Sequence, residues 1–296
     1  MPALLPTRRD FLQISSLALA GWVLPGRRRA QGFRFGMLAD PHYADTDARG
    51  TRFYRQSLAK VRECVDHLDA EQVDFLIELG DFKDQDEPPV EADTLRYLAT
   101  IEAELQRFPG PAYHVLGNHD MDSISKPQFL AAIDNPGVTG DASFYSFDRS
   151  DLHFVVLDAC FRADGAPYDH GDFDWRDTNI PPTQLDWLAA DLTAHAEMPT
   201  ILFCHQRLDG EGDVFVNNAD EARLLLRRRG NVIAAFHGHD HAGAHSEIDS
   251  IHYYTLRAVV EGSGPDNNSY AIVEVTPDGI AVTGYRRAVT GEFART

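Results

Sequence analysis

Gly117-Asn118-His119-Asp120 follows the strand-forming run Ala112 to Leu116, and Gly238-His239-Asp240-His241 follows Val232 to His237. The reading of these two stretches decides the architecture. Three shorter polar stretches stand in the same relation to apolar, β-branched or aromatic runs: Asp40-Pro41-His42 after Phe33 to Ala39, Gly80-Asp81 after Phe75 to Leu79, and His205 after Thr200 to Cys204. All five polar blocks therefore fall at the C-terminal ends of predicted strands, the edge at which open α/β sheets place ligands and catalytic groups. Working outward, Leu58, Val61, Val65 and Leu68 form a helical stripe between the first two blocks, and Leu95, Leu98, Ile101, Leu105 and Phe108 form another before the third. The first half thus reads as βαβαβ. The second half reads as strands at Phe144 to Asp148 and Leu152 to Asp158, helices at Pro182 to His195 and Asn218 to Arg229, and closing strands at Tyr253 to Leu256, Tyr270 to Thr276 and Ile280 to Arg286.

The residue types in the five blocks point to two metal ions. Divalent cations about 3.5–4 Å apart hold a phosphoryl oxygen, generate a nucleophile and steady the leaving oxygen. Ions that close need a shared anion, and Asp81 is the carboxylate placed to bridge them. Imidazole and carboxylate donors suit Mn, Fe, Zn or Ni, and the absence of thiolates argues against a structural Cys-type zinc site. His114, His153, His245 and His252 fall in strands or turns and read as structural, while His237 stands next to the ligand pair at the end of a buried strand.

This pattern resembles the calcineurin-like metallophosphoesterase superfamily, with the blocks spanning Asp40 to His241. The resemblance implies a single α/β domain: a β-sandwich of two mixed sheets flanked by helices (αββα). It implies one metal on Asp40, His42, Asp81 and His241, and a second on Asp81, Asn118, His205 and His239. It makes His119 a catalytic residue that assists the leaving group, with Asp84, three residues after the bridging Asp, orienting it. The purple acid phosphatase branch carries a metal-binding tyrosine where Asp84 stands, so no purple chromophore is expected. A closer likeness lies in Phe35 to Asp45, in Arg52-Phe53-Tyr54-Arg55 with Ser57-Leu58, and in Tyr253 to Ala258 with Glu261-Gly262 and Asn268 to Tyr270. These stretches are similar to the manganese-dependent ADP-ribose/CDP-alcohol diphosphatase branch.

Thr7-Arg8-Arg9-Asp10-Phe11-Leu12, followed by an apolar stretch from Ile14 to Leu24, resembles a twin-arginine export signal. The stretch is too short to span a bilayer, so no stable membrane anchor is expected. Residues 1–30 read as the signal and 31–296 as the phosphoesterase domain, with the mature start between Gly21 and Gly32. The implied location is periplasmic or extracellular, and the implied partner is the twin-arginine machinery. That route carries folded proteins, which would let the metals load before an exposed compartment offers tighter-binding competitors.

Composition agrees with one exported domain. The formal charge is −19, and the first 30 residues hold five Arg against one Asp, which leaves about −23 on the remainder. Such acidity opposes a nucleic-acid partner, whose binding rests on neutralising phosphates with Lys and Arg, and favours a small phosphate ester held by metals. Three cysteines, Cys64, Cys160 and Cys204, do not make a disulfide framework. The segment Phe161 to Pro181 breaks the strand–helix alternation and reads as a lid or substrate wall, with Tyr168 and Trp175 to stack on a base or sugar and Arg162 or Arg176 to clamp a second phosphate.

The expectation is an exported hydrolase holding two divalent metal ions (Mn, Fe or Zn), in which water between the metals attacks phosphorus. A phosphomonoesterase of the alkaline-phosphatase kind is favoured. The alternatives are a nucleotide diphosphatase or phosphodiesterase acting on ADP-ribose or CDP-alcohols, and a non-catalytic metal-bound binding protein, which would have no need of His119.

Overall fold

The computed structural model describes residues 32–140 and 142–294, so the segment read as an export signal lies outside the described residues. In chain order the elements are β1 (Phe33–Leu38), α1 (Ser57–Ala70), β2 (Phe75–Glu78), α2 (Glu91–Leu105), β3 (Ala112–His114), α3 (Lys126–Ala132), β4 (Tyr145–Arg149), β5 (Leu152–Leu157), α4 (Pro182–Ala194), β6 (Thr200–Cys204), α5 (Ala219–Arg229), β7 (Val232–His237), β8 (Ala244–Ile248), β9 (Ile251–Thr255), β10 (Ser269–Thr276), β11 (Gly279–Arg286) and β12 (Gly291–Ala294). They build two six-stranded sheets, ordered β12-β11-β10-β1-β2-β3 and β4-β5-β6-β7-β9-β8. Both are mixed. β1, β2 and β3 run parallel with β10 antiparallel beside β1. In the second sheet β5, β6, β7 and β9 run parallel, and antiparallel β4 and β8 form its edges.

Three buried layers hold the sandwich. Phe35, Met37, Phe75, Phe154, Phe203 and Phe236 fill the space between the sheets, with Phe35 stacked on Phe75 at 4.9 Å. The alternate residues of the first sheet, Leu38 and Leu76 among them, pack with Val61, Leu68, Leu98 and Ile101 of α1 and α2. Val155, Leu157, Leu202 and Ala235 pack with Leu188, Leu192 and Leu226 of α4 and α5. Central strands buried on both faces need apolar residues at successive positions, which is why they read as continuous runs and not as alternation. Each large apolar side chain so buried contributes roughly 1.5–3 kcal/mol.

The expected αββα sandwich is the observed fold. Sequence reading passed over β8, whose Ala-His-Ser-Glu-Ile alternates only partly buried residues with exposed ones, and β12, also partly exposed throughout. It also passed over α3, seven residues capped by Ser125, which exchanges hydrogen bonds with Gln128. Among the described residues no helix is long and apolar enough to cross a membrane. The three cysteines are buried and free.

Candidate metal centre and catalytic residues

Strand ends bring the five blocks together, and the backbone there is unusual. Asp40, His42, Asp81 and His239 all adopt positive φ, at 53°, 45°, 55° and 65°. Non-glycine residues rarely occupy this region and persist in it only where surrounding structure fixes them, a pattern concentrated at functional sites. Glycines make the crowding feasible. Gly80 itself sits at φ 99°, and a Cβ on Gly117 would fall 2.1 Å from the Asp81 backbone nitrogen. Asp120 ties the Asp81 and Asn118 loops together by accepting from the backbone N–H groups of Gly117 at 2.8 Å, Phe82 at 2.9 Å and Asp81 at 3.1 Å.

Two groups of donors converge, Asp40 with His42 and His241, and Asp81 with His205 and His239, each within 4.8 Å. In the first, His42 Nε2 faces His241 Nε2 at 3.2 Å; in the second, His205 Nε2 faces His239 Nδ1 at 3.2 Å. Two imidazole nitrogens aimed at each other need a cation or proton between them. Asp81 Oδ2 lies 3.2 Å from His205 Nε2 and 3.5 Å from His42 Nε2, between the two groups, as a shared carboxylate requires. Asn118 Oδ1 is buried without a hydrogen-bond partner. Such an orphaned atom at a polar site fits a cation ligand, and with the facing imidazole nitrogens and the shared carboxylate the residues present fit a pair of divalent cations. Electrostatics divides the donors. Burial opposes charge on His205, but Asp81 and Asp40 outweigh it and push the imidazole up to about 10, a proton that metal binding would displace. Burial, partly opposed by Asp84, pushes His42 down to about 3, and burial with nearby His205 holds His239 well below its ordinary value, which keeps both neutral, as metal ligation requires. Burial opposes charge on Asp81, but His205 and His119 outweigh it and keep its carboxyl well below the usual range.

Hydrogen bonds outside the donor set assign partners the sequence did not. Asp84 Oδ2 takes His42 Nδ1 at 3.0 Å and stands 3.7 Å from His119 Nδ1. Asp84 was expected to orient His119; the structure places it beyond hydrogen-bond distance of that ring and puts Asp122 Oδ2 on His119 Nδ1 at 2.6 Å. Chain geometry explains the difference. His119 and Asp122 lie three apart along the 3-10 turn that Asn118–Met121 makes, so they share one face, whereas Asp84 lies beneath His42. Burial opposes charge on His119, yet Asp122 and Asp81 outweigh it and push the imidazole up to about 10. Glu261 holds His241 Nδ1 at 2.7 Å, and that hydrogen bond draws its carboxyl down to about 2. A carboxylate on the far imidazole nitrogen fixes the tautomer and raises donor strength.

A cavity of about 230 Å³ opens on this cluster, lined by Arg52, Asp81, Asn118, His119, Trp175, Val214, His239 and His241. Of the four residues expected from the Phe161 to Pro181 segment, Trp175 reaches it, 39% exposed and 5.5 Å from the His239 ring. Tyr168 does not: it is fully buried, stacked on Phe173 at 3.9 Å, with its hydroxyl donating to the Asp177 carbonyl at 3.0 Å. Arg162 is turned to Asp164; Arg176 pairs with Asp174 and lies over the Trp175 ring at 5.7 Å, and neither guanidinium lines the cavity itself. Arg52, Glu261 and Asp122 were missed. The i, i+3 spacing from His119 was a usable signal for Asp122, whereas Arg52 and Glu261 come from loops that only the fold brings to the site.

The calcineurin-like phosphoesterase family profile matches residues 33–243. The manganese-dependent ADP-ribose/CDP-alcohol diphosphatase of Oryza sativa subsp. japonica is 28% identical over a 312-residue alignment covering 90% of this chain and 96% of that protein. The protein of the same name from Danio rerio is 26% identical, covering 86% of this chain and 96% of its own. Among solved structures, a dimetal phosphatase from Danio rerio superposes with a TM-score of 0.77 at 24% identity, over 90% of this chain and all of that one. A purple acid phosphatase from yellow lupin shares the fold at a TM-score of 0.60 and 13% identity, over 88% of this chain and 52% of its own. With the family profile spanning most of the chain and the donor cluster at the strand ends, this protein belongs to the calcineurin-like phosphoesterases and is a metal-dependent phosphoric ester hydrolase.

Proposed function

We propose that the enzyme hydrolyses a diphosphate linkage in a nucleotide derivative of the ADP-ribose or CDP-alcohol kind, releasing two phosphomonoesters. The observation that carries this reading is the composition of the cavity: one wall holds the donor cluster and His119, and the same space holds Arg52 and Trp175. A guanidinium beside the reacting phosphoryl suits a second phosphate, and an exposed indole suits a base or sugar. The names of the full-length relatives support the same choice, and so favour the diphosphatase alternative over the monoesterase first expected from sequence.

Asp40, His42, Asp81 and His241 would hold one divalent cation, and Asp81, Asn118, His205 and His239 the other. Bound there, the ions supply Lewis acidity and a nucleophile at neutral pH. The chain does the remaining work. Asp84 and Glu261 fix the orientation of His42 and His241. Asp122 takes Nδ1 of His119, so Nε2 is the atom turned to the cavity, where it donates to the departing oxygen. Arg52 and Trp175 hold the part of the substrate that leaves.

Hydrolysis of ADP-ribose, CDP-choline and p-nitrophenyl phosphate in Mn(II), Fe(II) and Zn(II) tests the proposal. The expected result is a manganese-supported kcat/KM at least tenfold higher for a diphosphate than for the monoester. Equal or greater efficiency on the monoester would restore the monoesterase reading.

A further inference from the structure

Lys60 of α1 is a buried charge that the hydrolytic chemistry leaves without a role. It is 2% exposed, and among the described residues its Nζ donates to backbone carbonyls alone: Val259 at 2.6 Å, Gly262 at 2.8 Å, Glu261 at 3.2 Å and Asn267 at 3.4 Å. An ammonium has three donors and no acceptor, and burying one without a carboxylate partner is costly unless oriented dipoles replace water. Burial pulls Lys60 down to about 8, and Arg287 acts in the same direction, so at neutral pH the ammonium is still the major form. The carbonyls of Val259 and Gly262 accept from no other protein group among the described residues. They depend on this one cation.

The loop held in this way, residues 259–262, touches two parts of the site. Val259 and Val260 donate backbone N–H bonds to the carbonyls of Ala39 and Asp40 at 3.0 and 3.1 Å. Gly262 donates to Thr51 at 2.8 Å and Phe53 donates back to Val260 at 2.9 Å, so Arg52 stands between two backbone bonds to the loop, paired with Glu261. The Glu261 carboxylate reaches His241 Nδ1 at 2.7 Å, and its carbonyl takes a second cation, Arg287 Nη1, at 3.2 Å. We propose that Lys60 is a positioning residue: its ammonium fixes the loop that sets Glu261 on His241 and Arg52 at the cavity. Without the cation, carbonyls aimed at one point repel one another and are left buried without a donor, and the loop relieves this by opening toward water. The effect on Arg52 rests on the diphosphatase reading; the effect on His241 does not.

In the test, wild type, Lys60→Met, Glu261→Gln and the double variant, all manganese-loaded, are dialysed against graded free Mn(II), and bound metal is measured. Lys60→Met should weaken one of the two equivalents about 10- to 100-fold, the usual cost of losing an outer partner. Glu261→Gln should do the same, and the double variant should lose no more than the larger single loss, because both act through one contact to His241. At saturating manganese, the preference of Lys60→Met for ADP-ribose over p-nitrophenyl phosphate should fall roughly tenfold, the worth of one charged hydrogen bond. Arg287→Met, which removes the other donor to the Glu261 carbonyl at a partly exposed position, should show both changes in weaker form and decides the question if Lys60→Met does not fold. A lysine that served stability alone would lower Tm and leave manganese affinity and the substrate ratio as in wild type. Unchanged manganese affinity, or additive losses in the double variant, would overturn the proposal; an unchanged substrate ratio would remove Arg52 from it. A wild type that prefers the monoester would end the diphosphatase reading and leave the manganese result to judge Lys60.

Discussion

Asp84 and Asp122 both approach His119, and the contacts separate their roles sharply enough to measure. Asp122→Asn replaces a charged acceptor 2.6 Å from His119 Nδ1 by a neutral one. Charged hydrogen bonds contribute about 1.5–3 kcal/mol and neutral ones about 0.5–1.5, so about 1–1.5 kcal/mol of positioning is lost, or roughly 5- to 13-fold in kcat. The metals do not depend on this contact, and manganese affinity should stay as in wild type. Asp84→Asn instead weakens the 3.0 Å contact to His42 Nδ1. Loss of such an outer partner costs typically about 10- to 100-fold in metal affinity, and most of the lost activity should return at saturating manganese. The assay is hydrolysis against manganese concentration for the three proteins, with metal content measured in parallel. If Asp122→Asn lost manganese affinity while Asp84→Asn lost only kcat, the two assignments would be exchanged, and the longer 3.7 Å approach of Asp84 to His119 would be the operative one.

Three further outcomes are expected. His119→Ala should keep both metals while losing about 10²–10⁴-fold in rate, with a larger loss on alkyl esters than on p-nitrophenyl esters, whose leaving group departs without a proton; an equal fold loss on both would reassign His119 to phosphate binding. His114 is buried between Glu102 at 3.0 Å and Glu78 at 3.6 Å, and these carboxylates outweigh burial to raise it to about 10. Its stabilisation is therefore fully present below its unfolded value near 6.5 and is lost as pH rises toward 10. Burial raises Glu78 to about 8, which acts in the same direction. Denaturant melts across that window should show wild type losing roughly 1.5–3 kcal/mol that His114→Gln lacks; parallel profiles would contradict this. Finally, Arg8→Lys with Arg9→Lys should leave active enzyme in the cytoplasm of an expressing bacterium, and fractionation showing efficient periplasmic delivery would remove the twin-arginine proposal.

What was legible in the sequence follows from how each residue is constrained. Strands such as Thr200–Cys204 and Val232–His237 are buried on both faces, and their limits match the expected runs residue for residue. The polar blocks follow strand ends directly, so their convergence was legible from order and spacing, while their assignment as metal donors came from the family resemblance. Peripheral β8 and β12 carry no such pattern, because partly exposed edge strands tolerate polar residues at every position. The segment read as a substrate wall was half legible. An aromatic-rich loop announces that something is packed, but not which ring faces inward: Tyr168 went to the core and Trp175 to the cavity. Arg52 and Glu261 stood out only as part of a family likeness, and their place at the site was illegible for a different reason. They lie in loops far apart in sequence, and they meet through the backbone pairing of Arg52 with Glu261 that the fold alone creates.

The central claim is that one carboxylate, Asp81, is shared by two metals. Anomalous diffraction from crystals of the manganese-loaded enzyme tests it directly. Two manganese peaks about 3.5–4 Å apart with Asp81 between them are expected, each flanked by one of the two histidine pairs, His42 with His241 and His205 with His239. A single peak, or two peaks with Asp81 bound to only one of them, would contradict the account.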